Sequence, residues 1–180
     1  MSNPSDPSPK HSAPAGPVLD LAGNVIDPFR AGDVVARVFI FISVDCPISN
    51  RYAPEIRRLH AKFAPRKIAF WLVHADPTDS IAAIRKHAED YQLTCDLLRD
   101  LKHVLVKKSL ARVTPEAAVF TSDGRLAYHG RIDDRYVELG QARPEARARD
   151  LEAVLEAMLA GKPVLTNETR AIGCSIPAAP

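Results

Sequence analysis

The stretch FISVDCPISNRY, residues 41–52, decides how this chain is read. Largely apolar residues run into Cys46, Pro47 follows at once, and the sequence then turns polar. Upstream, VVARVFIFIS (34–43) is β-branched and aromatic, the pattern of a strand buried on both faces of a sheet. Downstream, Tyr52, Ile56, Leu59 and Phe63 recur at spacings of four, three and four, the stripe of an amphipathic helix. Proline is favoured at the first helical position, where its missing N–H is no loss. Cys46 therefore falls at the N-cap, where unpaired backbone N–H groups favour a thiolate. Asp45 opposes that ionisation if its carboxylate lies near. The competing reading, a cysteine buried as a small hydrophobe, gives no reason for the proline. A reactive thiol or a metal ligand is the better account.

Working outward, IAFWLV (68–73) is a second fully apolar strand. Asp76-Pro77-Thr78 offers a helix start, with Ile81, Ile84, Ala88 and Tyr91 as its stripe. A short strand at Cys95–Leu98 and a short helix near 101–108 follow. AAVF (117–120) and LAYHG (126–130) flank a turn in which Gly124 supplies positive φ, predicting a hairpin. Leu151, Val154, Leu155, Met158 and Leu159 form the last helix, closed by Gly161 and Pro163. VLDLAGNVIDPF (18–29) suits a small entry hairpin. The β-α-β-α-β-α order followed by a hairpin and a helix predicts an α/β fold with a mixed central sheet flanked by helices.

The chain has 180 residues, room for one domain with a real core. The domain is expected at 18–160, with a disordered Pro/Ser-rich arm at 1–17 and an irregular tail at 161–180. A net charge of +2 without a long Lys/Arg block excludes a nucleic-acid groove. Apolar runs fall far short of the ~20 residues needed to cross a bilayer. The arm has no apolar h-region, so a cytoplasmic home is the default expectation; a periplasmic one follows if a signal precedes this sequence. Three cysteines, Cys46, Cys95 and Cys174, are too few for a disulfide scaffold.

In its order of parts the chain resembles the thioredoxin-like superfamily, and within it the redoxin (AhpC/TSA, peroxiredoxin-like) proteins. Three pieces carry the resemblance: Cys46-Pro47 between strand and helix, Val113-Thr114-Pro115 before the strand AAVF, and the closing hairpin FTSDGRLAYHGRID. The resemblance implies a thioredoxin-like fold and a cis Pro115 opposite Cys46, leaving the Thr114 backbone free to pair with a substrate strand. There are departures. Where thioredoxins have C-x-x-C this chain reads Cys46-Pro47-Ile48-Ser49, so the second thiol is missing. In the peroxiredoxin pattern P-x-x-x-[TS]-x-x-C, Ser43 and Cys46 are present but Phe39 stands at the proline position. The peroxide-binding arginine expected before AAVF is replaced by Thr114-Pro115-Glu116, with Arg112 the nearest candidate.

The candidate catalytic residues are Cys46, Cys174, Ser43, Thr114 and Pro115. Ser43 either donates to the sulfur or a peroxide oxygen, or is a strand-end serine bonding backbone. Asn50 is placed to brace the loop, and Arg51 to face solvent. Cys174, in Ile172-Gly173-Cys174-Ser175-Ile176, is either an incidental tail thiol or the tethered resolving partner of Cys46, with Gly173 permitting close backbone approach. Cys95 reads as core. His60 fits the edge of its helix's apolar stripe, and His74 the sheet's C-terminal edge, within reach of Cys46. Residues 131–149, with Asp133, Asp134, Arg135 and Tyr136, read most simply as a solvated loop, alternatively as a cover for the Cys46 pocket or a partner surface.

The function expected is thiol redox chemistry: Cys46 attacks a disulfide or peroxide, Cys174 resolves, and an external thiol reductant or disulfide-bearing protein completes the cycle. No cofactor is required, and no H-x-x-x-H or C-x-x-C pair marks a preformed metal site. Two rivals remain open. One is a copper-binding module resembling the thioredoxin-fold copper chaperones of cytochrome oxidase assembly, using Cys46, Cys174 and a histidine such as His74. The other is a redox-inert interaction domain. The oligomeric state stays open.

Overall fold

A computed structural model describes residues 18–30 and 32–179. The expected disordered arm, 1–17, lies outside the described residues. The chain opens with a short antiparallel pair, β1 (Val18–Leu19) and β2 (Val25–Ile26), whose turn is tied by the Asp20 carboxylate accepting from the Ala22 and Asn24 N–H groups. There follow β3 (Ala36–Ile42), α1 (Pro47–Phe63), β4 (Ile68–His74), α2 (Ile81–Asp90), β5 (Asp96–Arg99) and α3 (Val104–Ser109). Then come β6 (Val113–Thr114), β7 (Glu116–Thr121), β8 (Leu126–Gly130), a ribbon of β9 (Tyr136–Glu138) and β10 (Gln141–Ala142), α4 (Asp150–Leu159) and β11 (Cys174–Ser175).

Seven strands form one mixed sheet in the order β2-β1-β5-β4-β3-β7-β8. β3, β4 and β5 run parallel, while β7 and β8 return antiparallel. All seven residues of β3 are buried, because helices cover both of its faces. Side chains still alternate: Val38, Ile40 and Ile42 pack with Tyr52, Ile56, Leu59 and Phe63 of α1 and with Leu151 and Leu155 of α4. Phe39 and Phe41 face the other way, into a core with Trp71, Phe120 and Leu105. There Phe39 stacks on Trp71 at 5.2 Å between ring centroids and meets Phe120 edge-on at 5.7 Å. Among the described residues, no helix is long and apolar enough to cross a membrane.

Two expectations need correction, and the tail adds a finding. α2 starts at Ile81, capped by Ser80, because the Asp76 carboxylate instead closes a turn onto the Thr78 N–H at 2.8 Å. Its buried face is Ile84 and His87, while Ile81 is exposed. The 131–149 segment is not simply solvated. Asp133 and Asp134 are buried with donors in place: Tyr52 Oη–H at 2.5 Å and the Arg135 N–H both serve Asp133 Oδ1, while the Arg147 and Ala148 N–H groups serve Asp134 Oδ1 and Arg143 pairs with its Oδ2. Finally, the tail beyond α4 has little regular structure yet is fixed in place. Its Asn167 carbonyl accepts from the His129 N–H, its Thr169 N–H donates to the His129 carbonyl, and β11 pairs with β6.

Candidate active site

Cys46 ends the turn after β3 and caps α1, its sulfur accepting from the Ser49 N–H at 3.4 Å. Pro47 occupies the first helical position, so the strand-to-helix switch puts the thiol over the helix N-terminus. The Thr114–Pro115 peptide bond is cis. It carries the Thr114 carbonyl to 3.0 Å from the Cys46 sulfur, close enough to accept the thiol proton. Glu116, immediately after, holds this loop by accepting from the Arg112 and Val113 N–H groups at 2.7 and 3.2 Å.

The tail brings in the third component. β11 runs antiparallel to β6 with Cys174 opposite Thr114 and Ser175 opposite Val113, and Ile176 N–H donates to the Arg112 carbonyl. Cys174 thereby comes beside Cys46, the two thiols lining one pocket and each shifting the other's ionisation. The Thr114 backbone, expected to be free for a substrate strand, is thus occupied by the chain's own tail. All three cysteines are free thiols in this structure. Two glycines make the docking possible. A Cβ on Gly173 would stand 2.1 Å from the Thr114 carbonyl oxygen, and one on Gly130 would stand 2.3 Å from the Thr169 carbonyl oxygen. Both clashes are with groups that cannot swing away cheaply.

The two thiols are electrostatically unequal. Burial pushes the Cys46 thiol up, but hydrogen bonds from Cys174, Ser49 and the Thr114 side chain outweigh it and bring the thiol down to about 7. The contact with the Thr114 carbonyl works the other way, since it stabilises only the protonated form. Ser49 Oγ adds to the Cys174 contribution: it is buried and without a hydrogen-bond partner while the thiol is protonated, so ionisation of Cys46 supplies the acceptor it lacks. Cys174 is pushed up to about 11 by burial and by its bond to Cys46, so it stays protonated as the donor. Cys95 is buried in the core and pushed up to about 12, chiefly by desolvation.

Cys46 is 2% exposed and lies at a pocket of about 150 Å³ shared with Ser43, Asp45, Asp76, Thr114 and Cys174. No arginine or lysine is among the described residues lining it. Arg112 is exposed and lines a different groove, with His129 and Glu168. Ser43 is tied to Cys46 through its backbone carbonyl, which accepts the Cys46 N–H at 3.3 Å. Asn50 braces the loop by donating to the Val44 carbonyl and accepting from His87 Nε2. Arg51 is exposed, touching the Tyr136 hydroxyl at 3.4 Å. His74 is not directed to the thiols but to Asp79, at 3.3 Å, in a buried pair behind the site. His60 bonds Thr94 at the edge of the core. Among the described residues, no group of three His, Cys, Asp or Glu side chains is placed to hold a metal. Ser49 is the residue that sequence reading missed, having registered only as the place of an absent cysteine.

The first test is electrostatic. Alkylation of Cys46 by iodoacetamide should rise with pH and half-saturate near 7, because only the thiolate reacts. At pH 7 the thiolate fraction is about 50-fold above that of an ordinary cysteine, and the lower nucleophilicity of a weaker base leaves a net gain of roughly sixfold. A half-saturation point near 9, read by mass spectrometry of the Cys46 peptide, would refute the assigned hydrogen-bond set.

Three comparisons bear on identity. The profile of the AhpC/TSA family matches residues 10–129, well over half of the chain. The chain has no significant match among curated proteins. Among solved structures it is similar to an uncharacterized conserved protein from Geobacillus kaustophilus, at 28% identity and TM-score 0.77, covering 93% of this chain and 90% of that one. A hypothetical protein from Sinorhizobium meliloti is similar at 25% identity and TM-score 0.76, covering 89% of each chain. A secreted disulfide oxidoreductase from Mycobacterium tuberculosis shares the fold, at 17% identity and TM-score 0.54, with 82% of this chain and 96% of that one covered.

Proposed function

The chain belongs to the AhpC/TSA family, whose membership supports a thiol redox function, and from that premise we propose that it is a two-cysteine thiol–disulfide oxidoreductase. Cys46 is the nucleophile and Cys174 the resolving thiol. The observation that carries this is the tail strand, which delivers Cys174 onto the Cys46 sulfur across the cis-proline loop. Cys46 thiolate attacks one sulfur of a substrate disulfide and expels the other as a thiolate, forming a mixed disulfide. Cys174 then loses its proton and displaces the substrate's remaining sulfur, leaving a Cys46–Cys174 disulfide and a substrate reduced by two electrons. Two external thiol groups, from two monothiols or one dithiol, return the pair to the dithiol and leave joined as a disulfide. Cys174 is the more exposed of the two sulfurs, and Cys46 the better leaving group, so the reductant's first attack is on Cys174.

Pro115 fixes the loop that presents Thr114, and Thr114 supplies the groups around the sulfur. Ser43 holds the Cys46 backbone. A disulfide is favoured over a peroxide as oxidant because the pocket offers two carboxylates, Asp45 and Asp76, and no cationic side chain to stabilise charge on a departing oxygen. The test is a peptide map of non-reduced protein after one equivalent of a small-molecule disulfide. The peptides carrying Cys46 and Cys174 should be recovered linked in most of the protein, with Cys95 free. Recovery of Cys46 and Cys174 on separate peptides, each free or each capped by the oxidant, would refute the pairing.

A further inference from the structure

One imidazole outside the thiol pocket joins the two segments that carry its parts. His129, in β8, is 8% exposed, and its backbone holds the tail: its N–H donates to the Asn167 carbonyl and its carbonyl accepts from the Thr169 N–H. Its ring lies between two carboxylates. Nδ1 is 3.8 Å from Glu116 Oε1, and Nε2 is 3.8 Å from Glu168 Oε1. Glu116 is buried, and its other oxygen fastens the Arg112 and Val113 N–H groups, hence the loop that presents Thr114 to Cys46. Glu168 belongs to the tail, upstream of Cys174. Both separations suit an ion pair but are too long for a hydrogen bond, and Nδ1 is buried without a hydrogen-bond partner. The other charged groups near the ring are exposed. Arg112 and Arg170 line the same groove, of about 810 Å³. From α3, which neighbours β8, come Lys107 and Lys108, the latter over the Phe29 and Phe120 rings. Among the described residues, no lysine or arginine side chain pairs with Glu116 or Glu168.

A neutral imidazole carries one N–H and serves only one of these carboxylates, leaving the other against a bare lone pair, whereas an imidazolium serves both. We propose that His129 is a positioning residue for the thiol pair: its protonated ring clasps the tail, through Glu168, to the cis-proline loop, through Glu116, and its neutral ring lets the tail lift more often. The clasp regulates the redox site, so its consequence for turnover rests on the two-thiol reading. Histidine is the side chain that changes charge between about pH 5 and 8. The docked tail favours the imidazolium, so docking is strongest where the ring is protonated and weakens as pH rises through its titration. Cys46 is buried in a pocket that Cys174, Ser175, Ile176 and Pro177 help to line. A fastened tail therefore keeps Cys174 at the nucleophile and shuts out a protein disulfide, while a lifted one admits it. The Glu168 side chain is 60% exposed, so solvent screens its half of the clasp and the bias is on the order of threefold to fivefold.

The test reads docking without chemistry, on the full chain with its thiols reduced. Amide hydrogen exchange followed by NMR gives protection factors, corrected for the intrinsic pH dependence, at Thr169 and Ile176, whose N–H groups donate to the His129 and Arg112 carbonyls. The buried amides of β3 are the reference for global opening. Relative to them, wild-type protection at both tail amides should be about threefold or more higher at about pH 5.5 than at about pH 8. Glu168→Gln, an exposed and nearly isosteric change, should abolish that difference. His129→Gln, a neutral donor in the same place, should hold both amides at the wild-type alkaline level throughout; if that variant does not fold, Glu168→Gln decides alone. Equal wild-type protection at the two pH values overturns the clasp, and so does a pH difference that survives in Glu168→Gln. The linked-peptide map reports the redox pairing separately, so either result can fail while the other stands.

Discussion

Cys46→Ser should abolish dithiol-coupled reduction of a disulfide substrate, a loss on the order of 10³-fold or more. A serine hydroxyl is not ionised by the hydrogen bonds that bring the Cys46 thiol to about 7, and an oxygen there forms no bond from which Cys174 could release the substrate. The fold should be spared, because the cap survives the change. Serine is a good N-cap, and the Ser49 N–H that now donates to sulfur would donate to its oxygen. Circular dichroism should therefore be unchanged while turnover disappears. Cys95→Ser is the matching control: that thiol is buried in the core, pushed up to about 12, and has no part in the site, so its rate should stay within twofold of wild type once the variant is shown to fold. Retention of a tenth of wild-type turnover by Cys46→Ser would remove Cys46 from the mechanism.

The strand and the cap were legible because each is a local pattern, whereas a cis Pro115 came only from the resemblance, since no local pattern marks the isomer. Apart from Arg37, VVARVFIFIS is apolar without alternation, the pattern of a strand covered on both faces, and Cys46-Pro47 marks its boundary with α1. Gly124, at φ +84°, closes the β7–β8 hairpin where the sequence put it. What escaped depends on partners far along the chain. The acid pair of 133–134 reads as solvated until Tyr52, 81 residues away, is seen to donate to Asp133. Ser49 reads as a missing cysteine until its hydroxyl is found buried under the sulfur. The tail is the clearest case. A two-residue strand has no periodicity to detect, and its hold depends on glycines whose partners lie elsewhere: Gly173 against Thr114, Gly130 against Thr169. Gly173 beside Cys174 was a visible hint of close approach, while Gly130 looked like the end of a strand. A small residue shows what a backbone can tolerate, and only the fold shows what comes close.

Cys174→Ala should convert the protein from one that turns over into one that traps its substrate. Cys46 can still attack, but nothing inside the chain can then displace the bound sulfur. The tail holds the resolving thiol at an effective concentration on the order of mM, so against micromolar external thiol the mixed disulfide should persist on the order of 10²–10³-fold longer. Intact-mass spectrometry after one equivalent of a peptide disulfide should show a stable adduct on Cys46 in the variant and none in wild type. Alanine also removes the Cys174 hydrogen bond, foremost among the donors that lower the Cys46 thiol. The pH midpoint for Cys46 alkylation should move up from about 7 toward the ordinary value, so the variant is slower to form its adduct near neutrality as well as slower to lose it. The sign is fixed by which form the lost bond stabilised: Cys174 donates to the thiolate, so its removal raises the pKa. The two effects separate by timescale, the first in adduct formation and the second in adduct decay. An adduct that clears from Cys174→Ala as fast as from wild type would show that resolution comes from outside the chain, and that the tail docks for another reason.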